Sequence, residues 1–108
     1  MGRWYLLDEN KQPYRDPLNG GTPMTDEMRR VGRDTVGEVE ISTVFLGLDH
    51  SWNGPRPVLY ESMIFGGEHD QYQRRYHTWD EAAKGHAALV KWIEDGGCGQ
   101  WDWEYYDR

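Results

Sequence analysis

Alternating apolar and polar residues at the centre of the chain predict β-structure. The segment VEISTVFL, from Val39 to Leu46, places Val39, Ile41, Thr43 and Phe45 on one face of an extended strand. The opposite face starts polar and becomes apolar at Val44 and Leu46. We therefore expect one end of this strand to be covered on both sides.

Further strands are predicted on both sides of this segment. A short strand is expected at Arg3 to Leu7, and a second apolar run extends from Val58 to Phe65. The segment QYQRRYHTW, starting at Gln71, predicts another strand, with Arg74 on the same face as its tyrosines. Strands that follow one another in this way favour an antiparallel meander.

A capping box marks the start of one long helix. In TWDE, the Thr78 side chain can accept a hydrogen bond from the Glu81 amide, and Glu81 can reach back. Gly96 and Gly97 are expected to end the helix. A shorter helical turn is predicted after Thr25. The apolar stripe of the long helix has helical spacing and consists of Trp79, Ala82, Ala83, His86, Leu89, Val90 and Ile93.

These elements predict one α+β domain over residues 1–108. It would consist of an antiparallel meander sheet of about four strands, with the C-terminal amphipathic helix packed on one face. In the aromatic and acidic tail, residues 94–108, the positions of Trp101, Trp103 and Tyr105 alternate with those of Asp102, Glu104 and Tyr106. This pattern is consistent with two alternatives, an edge strand and an exposed arm that docks on a partner.

Composition and charge narrow the class of protein. The formal net charge is −7, which disfavours general nucleic-acid binding because phosphate backbones would be repelled. No segment approaches the ~20 apolar residues that span a bilayer. The N-terminus lacks a secretory apolar region, and the single cysteine, Cys98, cannot form an internal disulfide. We therefore expect a soluble protein of the cytoplasm without membrane association.

Two polar segments contain aspartate and histidine side by side. Asp49 and His50 lie in GLDHSWNG with Trp52, and GGEHD contains the second group, Glu68, His69 and Asp70. In a simple hairpin these segments would lie at opposite ends of the sheet, which argues against one shared metal site. No HExxH, HxH or HxxxH spacing is present, so neither a metal nor another cofactor is expected. The GGEHD segment is typical of a glycine turn, with ligand binding as the alternative.

Histidine and arginine residues elsewhere add further candidates. His86 lies on the apolar stripe of the helix, which favours a core residue with a hydrogen-bond partner, such as a carboxylate from one of the polar loops. Arg29, Arg30 and Arg33 form one basic cluster, and Arg74 and Arg75 form another beside Tyr76. Arginine next to tyrosine suits a flat, anionic ligand such as a nucleotide, although pairing with the many acids is the simpler interpretation.

Three motifs resemble those of a group of small proteins encoded by tailed bacteriophages and prophages. They are STVFLGLDH (Ser42 to His50), ESMIFGGEHD (Glu61 to Asp70) and YHTWDEAAKGH (Tyr76 to His86), and WYLLDEN at Trp4 to Asn10 is similar as well. Proteins of this group are mostly uncharacterised, so the resemblance implies a phage or prophage origin and no specific activity. Small phage accessory proteins often inhibit host defence, which would place this chain in the host cytoplasm.

The sequence thus leads to a main hypothesis and two alternatives. The main hypothesis is a non-enzymatic accessory protein without catalytic residues that sequesters a small anionic ligand or blocks a host protein. Its site would combine the loop from Asp49 to Arg56, the turn from Glu68 to Asp70, the Arg74/Tyr76 face and His86. One alternative is a small metal-dependent hydrolase that uses Asp49, His50, His69 and Asp70. The other is a phage assembly subunit that interacts through the tryptophan-rich tail, and homo-oligomerisation is left open.

Overall fold

The computed structural model describes residues 2–51 and 55–97 and shows an α+β fold. A four-stranded antiparallel sheet packs against one long helix, and a small hairpin precedes it. The predicted fold class is thereby confirmed. In chain order the elements are β1 (Tyr5–Leu7), β2 (Pro13–Arg15), α1 (Asp26–Arg29), β3 (Arg30–Val36), β4 (Val39–Phe45), β5 (Tyr60–Phe65), β6 (Gln73–Tyr76) and α2 (Trp79–Glu94).

The sheet is a meander in which neighbours along the chain are neighbours in space, with the order β3-β4-β5-β6. Val36 pairs with Val39 across a two-residue turn, and Phe45 pairs with Tyr60 at the other end of β4. The edge strand β3 is not anticipated by the sequence analysis, because Arg33, Asp34 and Gly32 interrupt its apolar pattern. The sequence feature that comes nearest to indicating β3 is Gly37, which lies in the turn between β3 and β4 and has φ of +60°.

The N-terminal strand forms a separate hairpin. Leu6 of β1 is buried and pairs with Tyr14 of β2. An isolated bridge between Trp4 and Leu48 ties this hairpin to the segment that follows β4. The predicted strand at Arg3 to Leu7 therefore exists, but it lies outside the four-stranded sheet.

Helix α2 begins and ends where the sequence predicts. Both halves of the capping box form, since the Thr78 side chain accepts from the Glu81 amide and the Glu81 carboxylate accepts from the Thr78 amide. The chain then turns at Gly96, whose amide donates to the Ile93 carbonyl. The buried side of the helix covers the face of β4 that carries Ile41, Thr43 and Phe45.

The core between α2 and the sheet consists of two apolar clusters. One contains Phe45, Leu59, Tyr60, Tyr76 and Ala82, and the other contains Ile41, Ile64, Leu89 and Trp92. Each cluster includes residues of β4, β5 and α2. Thr43, Ser62 and His86 lie between the two sets along these elements, so a row of polar side chains crosses an otherwise apolar interface.

The opposite face of the sheet is not covered by α2. On β4 this face carries Glu40, Ser42 and Val44, all of which are half-buried. Phe65 of β5, which pairs with Glu40, is 39% exposed. We call this surface the open face. The predicted edge strand in the tail lies in residues 98–108, outside the described residues, and in the described ranges no helix has the length and apolar character to cross a membrane.

Candidate functional site

The first polar segment is held together by Asp49. Its carboxylate accepts hydrogen bonds from the amides of Ser51 at 2.8 Å and Val58 at 2.9 Å, which closes the base of the loop. Partial burial on its own raises the pKa of Asp49, but these hydrogen bonds outweigh it, so the pKa is lowered overall. His50 donates from Nδ1 to the Leu48 carbonyl. Trp52 lies outside the described residues.

The second polar segment is the glycine turn that the sequence predicts. Gly66 and Gly67 have φ of +88° and +71°, values that favour glycine. The Asp70 carboxylate accepts from the Gly66 amide at 2.7 Å. His69 donates from Nε2 to the Gly97 carbonyl at 2.6 Å and packs on the Trp92 ring, whereas Glu68 is exposed. Apart from Glu68, these side chains thus connect the turn to itself and to the end of α2.

The two polar segments lie at opposite ends of the sheet. The Asp49 segment follows β4 at the end where Phe45 pairs with Tyr60, and the Gly66–Asp70 turn follows β5 where Phe65 pairs with Glu40. A six-residue strand separates these ends by about 20 Å. Within residues 2–51 and 55–97, no group of three or more histidine, cysteine, aspartate or glutamate residues is arranged to hold a metal ion.

His86 is the centre of a hydrogen-bond chain that runs from the exposed side chain of Asp34 into the core. Its Nε2 lies 2.7 Å from the Asp34 carboxylate, and its Nδ1 lies 2.7 Å from the Thr43 hydroxyl. Thr43 contacts the Ser62 hydroxyl, which also accepts from the Tyr76 hydroxyl at 3.0 Å. The partner is a carboxylate, as the sequence suggested, but it comes from the unanticipated strand β3 rather than from a polar loop.

The hydrogen bonds around His86 all run in one donor-to-acceptor direction when its imidazole is neutral. A carboxylate only accepts, so Nε2 carries the proton and donates to Asp34. Nδ1 then accepts from Thr43, Thr43 accepts from Ser62, and Ser62 accepts from Tyr76. Although an aspartate, a histidine and a hydroxyl meet here, Thr43 and Ser62 are both 0% exposed. No substrate can reach either hydroxyl, so this geometry stabilises the helix–sheet interface rather than supplying a nucleophile.

The Arg74/Tyr76 face is engaged in packing. Tyr76 is 3% exposed, and the Arg74 guanidinium lies 5.9 Å from the centre of its ring. A cleft of about 200 Å³ borders these residues and also touches Arg75, His77 and Glu81. That volume is below the range of about 300–1,000 Å³ that is typical of small-molecule sites. The face of Tyr76 is therefore not open for stacking on a ligand.

A larger groove lies on the open face, and three arginines line it. Arg29 at the end of α1, with Arg30 and Arg33 of β3, borders a volume of about 480 Å³. Other lining residues are Asp26, Glu40, Ser42, Val44, Phe45, Leu46 and Phe65. Val44 and Leu46, which the sequence expected to be covered, form part of this groove beside α1. The volume falls within the typical range of ligand sites.

The three arginines differ in how they are held. Arg29 donates to the Leu46 carbonyl at 3.2 Å, which fixes it against the end of β4. Arg33 forms an ion pair with Glu40 whose side chains are 59% and 32% exposed. Such exposed pairs contribute little to stability, so Arg33 can exchange Glu40 for another anion. Among the described residues, no ion pair or hydrogen bond engages the guanidinium of Arg30, which is exposed.

The sequence identified this arginine cluster without locating it in a groove. Arg29 and Arg30 were expected at the end of the short helical turn after Thr25, but only Arg29 is in α1. Because β3 pairs with β4, Arg33 lies opposite Ser42 and Arg30 lies opposite Val44. The pairing thereby brings the arginine side chains beside Val44 and Phe65. This proximity could be predicted only if the register between β3 and β4 were known.

Comparison of the chain with protein-family models, with curated proteins and with solved structures finds no match in any of the three.

Proposed function

We propose that this protein is a non-enzymatic binding protein that takes a nucleotide-like anion in the groove of the open face. The observation that carries this proposal is the convergence of Arg29, Arg30 and Arg33 on a groove with apolar walls. Asp26 and Glu40 also line the groove, so three arginines against two carboxylates leave its lining with a formal charge of +1, whereas the chain as a whole carries −7.

The chemistry of the lining supports an anion with a flat apolar part. Guanidinium groups form paired hydrogen bonds to phosphate or carboxylate oxygens, and Arg30 is exposed and available for such a contact. Val44 and the partly exposed ring of Phe65 offer an apolar surface for a base. Asp26, Glu40 and Ser42 also line the groove, but Glu40 is paired with Arg33, and among the described residues no hydrogen bond joins the Ser42 hydroxyl to either carboxylate, which favours binding over catalysis.

The resemblance of three sequence motifs to small phage and prophage proteins extends the proposal to a biological role. An accessory protein that sequesters a nucleotide signal in the host cytoplasm would weaken host defence. A groove that binds and does not convert its ligand suits such a role.

The direct test is the affinity of purified protein for the fluorescent nucleotide TNP-ATP, measured in competition with unlabelled ATP. A hydrogen bond to a charged group contributes about 1.5–3 kcal/mol, so Arg30→Glu should weaken binding by about tenfold or more. Lys84→Glu makes the same charge change on the exposed side of α2 and should leave the affinity within about twofold.

Equal affinities of the two variants would contradict the groove as the site. Recovery of intact ATP after long incubation is also expected, whereas steady conversion to ADP would favour the hydrolase hypothesis.

A further inference from the structure

The groove of the open face has a candidate occupant within the same chain. We infer that the aromatic and acidic tail, residues 98–108, docks in the groove of its own molecule and competes there with external anions. This inference concerns the regulation of the groove and rests on the proposed function for its biological meaning.

The first observation is where the described chain stops. Gly97 follows α2, and its carbonyl accepts a hydrogen bond from His69 at 2.6 Å. His69 belongs to the turn that begins at Gly66, directly after Phe65 at the end of β5. Phe65 lines the groove. The described chain therefore stops at the end of the sheet where Phe65 lines the groove.

The second observation is length. Residues 98–108 can extend over about 36 Å at roughly 3.3 Å per residue. Passing from one face of the sheet to the other takes about 10 Å, and the strand length from Glu40 to Leu46 is about 20 Å. The tail is therefore long enough to turn around the end of the sheet and follow the groove to Arg29.

The third observation is complementary chemistry. The tail alternates Trp101, Trp103 and Tyr105 with the acids Asp102 and Glu104. The groove offers the matching groups, since Arg30 carries an exposed positive charge and Arg33 can exchange its partner Glu40, both beside the apolar surface of Val44 and Phe65. Elsewhere the chain has a large excess of acids, so few other surfaces would attract this segment.

The test uses the full chain and the rate at which chymotrypsin cuts within residues 101–106, followed by mass spectrometry. Each rate is divided by the rate for a free peptide of the same tail sequence, which removes the intrinsic preference of the protease. In the wild-type protein the tail should be cut more slowly than the peptide. Arg30→Glu should raise the relative rate by about two- to fivefold, and Lys84→Glu should not change it.

A charge reversal supplies a second, independent variant. Asp102→Arg combined with Glu104→Arg should release the tail from the wild-type groove and restore protection in the Arg30→Glu background. In the wild-type groove the tail substitutions change no residue of the elements described above, so this arm tests docking even if Arg30→Glu disturbs the fold.

Three results would overturn the inference. The first is a wild-type tail that is cut at the peptide rate, and the second is an Arg30→Glu variant that behaves like Lys84→Glu. Protection that grows with protein concentration would instead show that the tail docks on a second copy.

The outcomes separate this inference from the proposed function. Protection of the tail that depends on Arg30, without nucleotide binding, would support the tail and refute the nucleotide proposal. Nucleotide binding that depends on Arg30, with an unprotected tail, would support the nucleotide proposal and refute the docking of the tail. If both hold, Trp101→Ser with Trp103→Ser should increase nucleotide affinity, because the competing segment would be weakened.

Discussion

At the residue scale, the hydrogen-bonded side chains around His86 explain how polar groups are accommodated in a small core. Thr43 and Ser62 are fully buried between two apolar clusters, yet each has a hydrogen-bond partner. A fully satisfied network of this kind fixes one arrangement of helix and sheet, whereas an incomplete one is costly. The hydrogen bonds of His86 therefore help to fix the position of α2 on the sheet.

Removing one hydroxyl from this network should destabilise the protein. Thr43→Val keeps the shape of the side chain but leaves His86 Nδ1 without its donor and Ser62 without its acceptor. We expect the free energy of unfolding in urea to fall by about 1–3 kcal/mol. Thr35→Val, at an exposed position of β3, is the matched control and should change it by less than about 0.5 kcal/mol. Equal effects of the two substitutions would show that the network contributes nothing measurable.

The sequence predicts part of this network. The helical spacing correctly places His86 on the buried stripe of α2, and the alternation correctly places Thr43 on the covered face of β4. The carboxylate of Asp34 could not be identified in advance, because it belongs to a strand whose charged residues hide its pattern.

At the element scale, glycine allows α2 to approach the sheet closely at two points. A Cβ atom at Gly85 would overlap the ring of Tyr76, and one at Gly32 would lie 2.7 Å from His86 Cδ2. Both rings are buried and cannot move aside easily. Gly85, which costs helix propensity, is thus required by packing against β6.

Gly85→Ala should therefore destabilise the protein despite the better helix propensity of alanine. Propensity gains up to about 1 kcal/mol, whereas overpacking a buried site typically costs about 1–3 kcal/mol. We expect a net loss in the free energy of unfolding, measured by urea titration. Ala87→Gly, at an exposed position of α2, measures the propensity difference alone. A more stable Gly85→Ala variant would contradict the close approach.

Local patterns in the sequence are sufficient to predict α2, β4, β5 and β6, because each has a clear period, cap or turn. They do not predict β3, where pairing with β4 stabilises a strand of low intrinsic preference. The groove on the open face depends on that pairing, so its location follows from the register of the sheet.

At the scale of the whole molecule, titration links the loops and the core to stability. Burial alone raises the pKa of Asp16, but hydrogen bonds from Leu18, Thr22 and Gly20 outweigh it and lower the pKa overall. The pKa of Asp49 is lowered overall as well. Both carboxyls bind protons less tightly in the folded state, so their contribution is complete above a pH of about 4 and is lost at lower pH.

We therefore expect a lower urea midpoint at pH 3 than at pH 6. Asp49→Asn should reduce this difference, because the substituted side chain no longer titrates. Glu68→Gln, which removes an exposed carboxylate, serves as the charge-matched control. An unchanged pH dependence in Asp49→Asn would show that the loop carboxylate does not contribute.

At alkaline pH the contribution of a tyrosine to stability changes in the opposite direction, since it is lost as the pH rises. Burial raises the pKa of Tyr76 to about 12, even though the hydrogen bond with Ser62 lowers it. The neutral phenol is favoured in the folded state, so its contribution is complete below the ordinary value of 10 and is lost as the pH rises toward 12. Absorbance of the ionised phenol should therefore develop together with unfolding.

The central claim is that the groove of the open face binds a nucleotide-like anion, and an amide map of the full chain tests it most directly. Proton–nitrogen correlation spectra recorded during titration with ATP should show shifts that saturate at Arg30, Arg33, Ser42, Val44 and Phe65. Saturating shifts confined to the Asp49 loop and the Glu68–Asp70 turn, or no saturating shifts at all, would contradict the account.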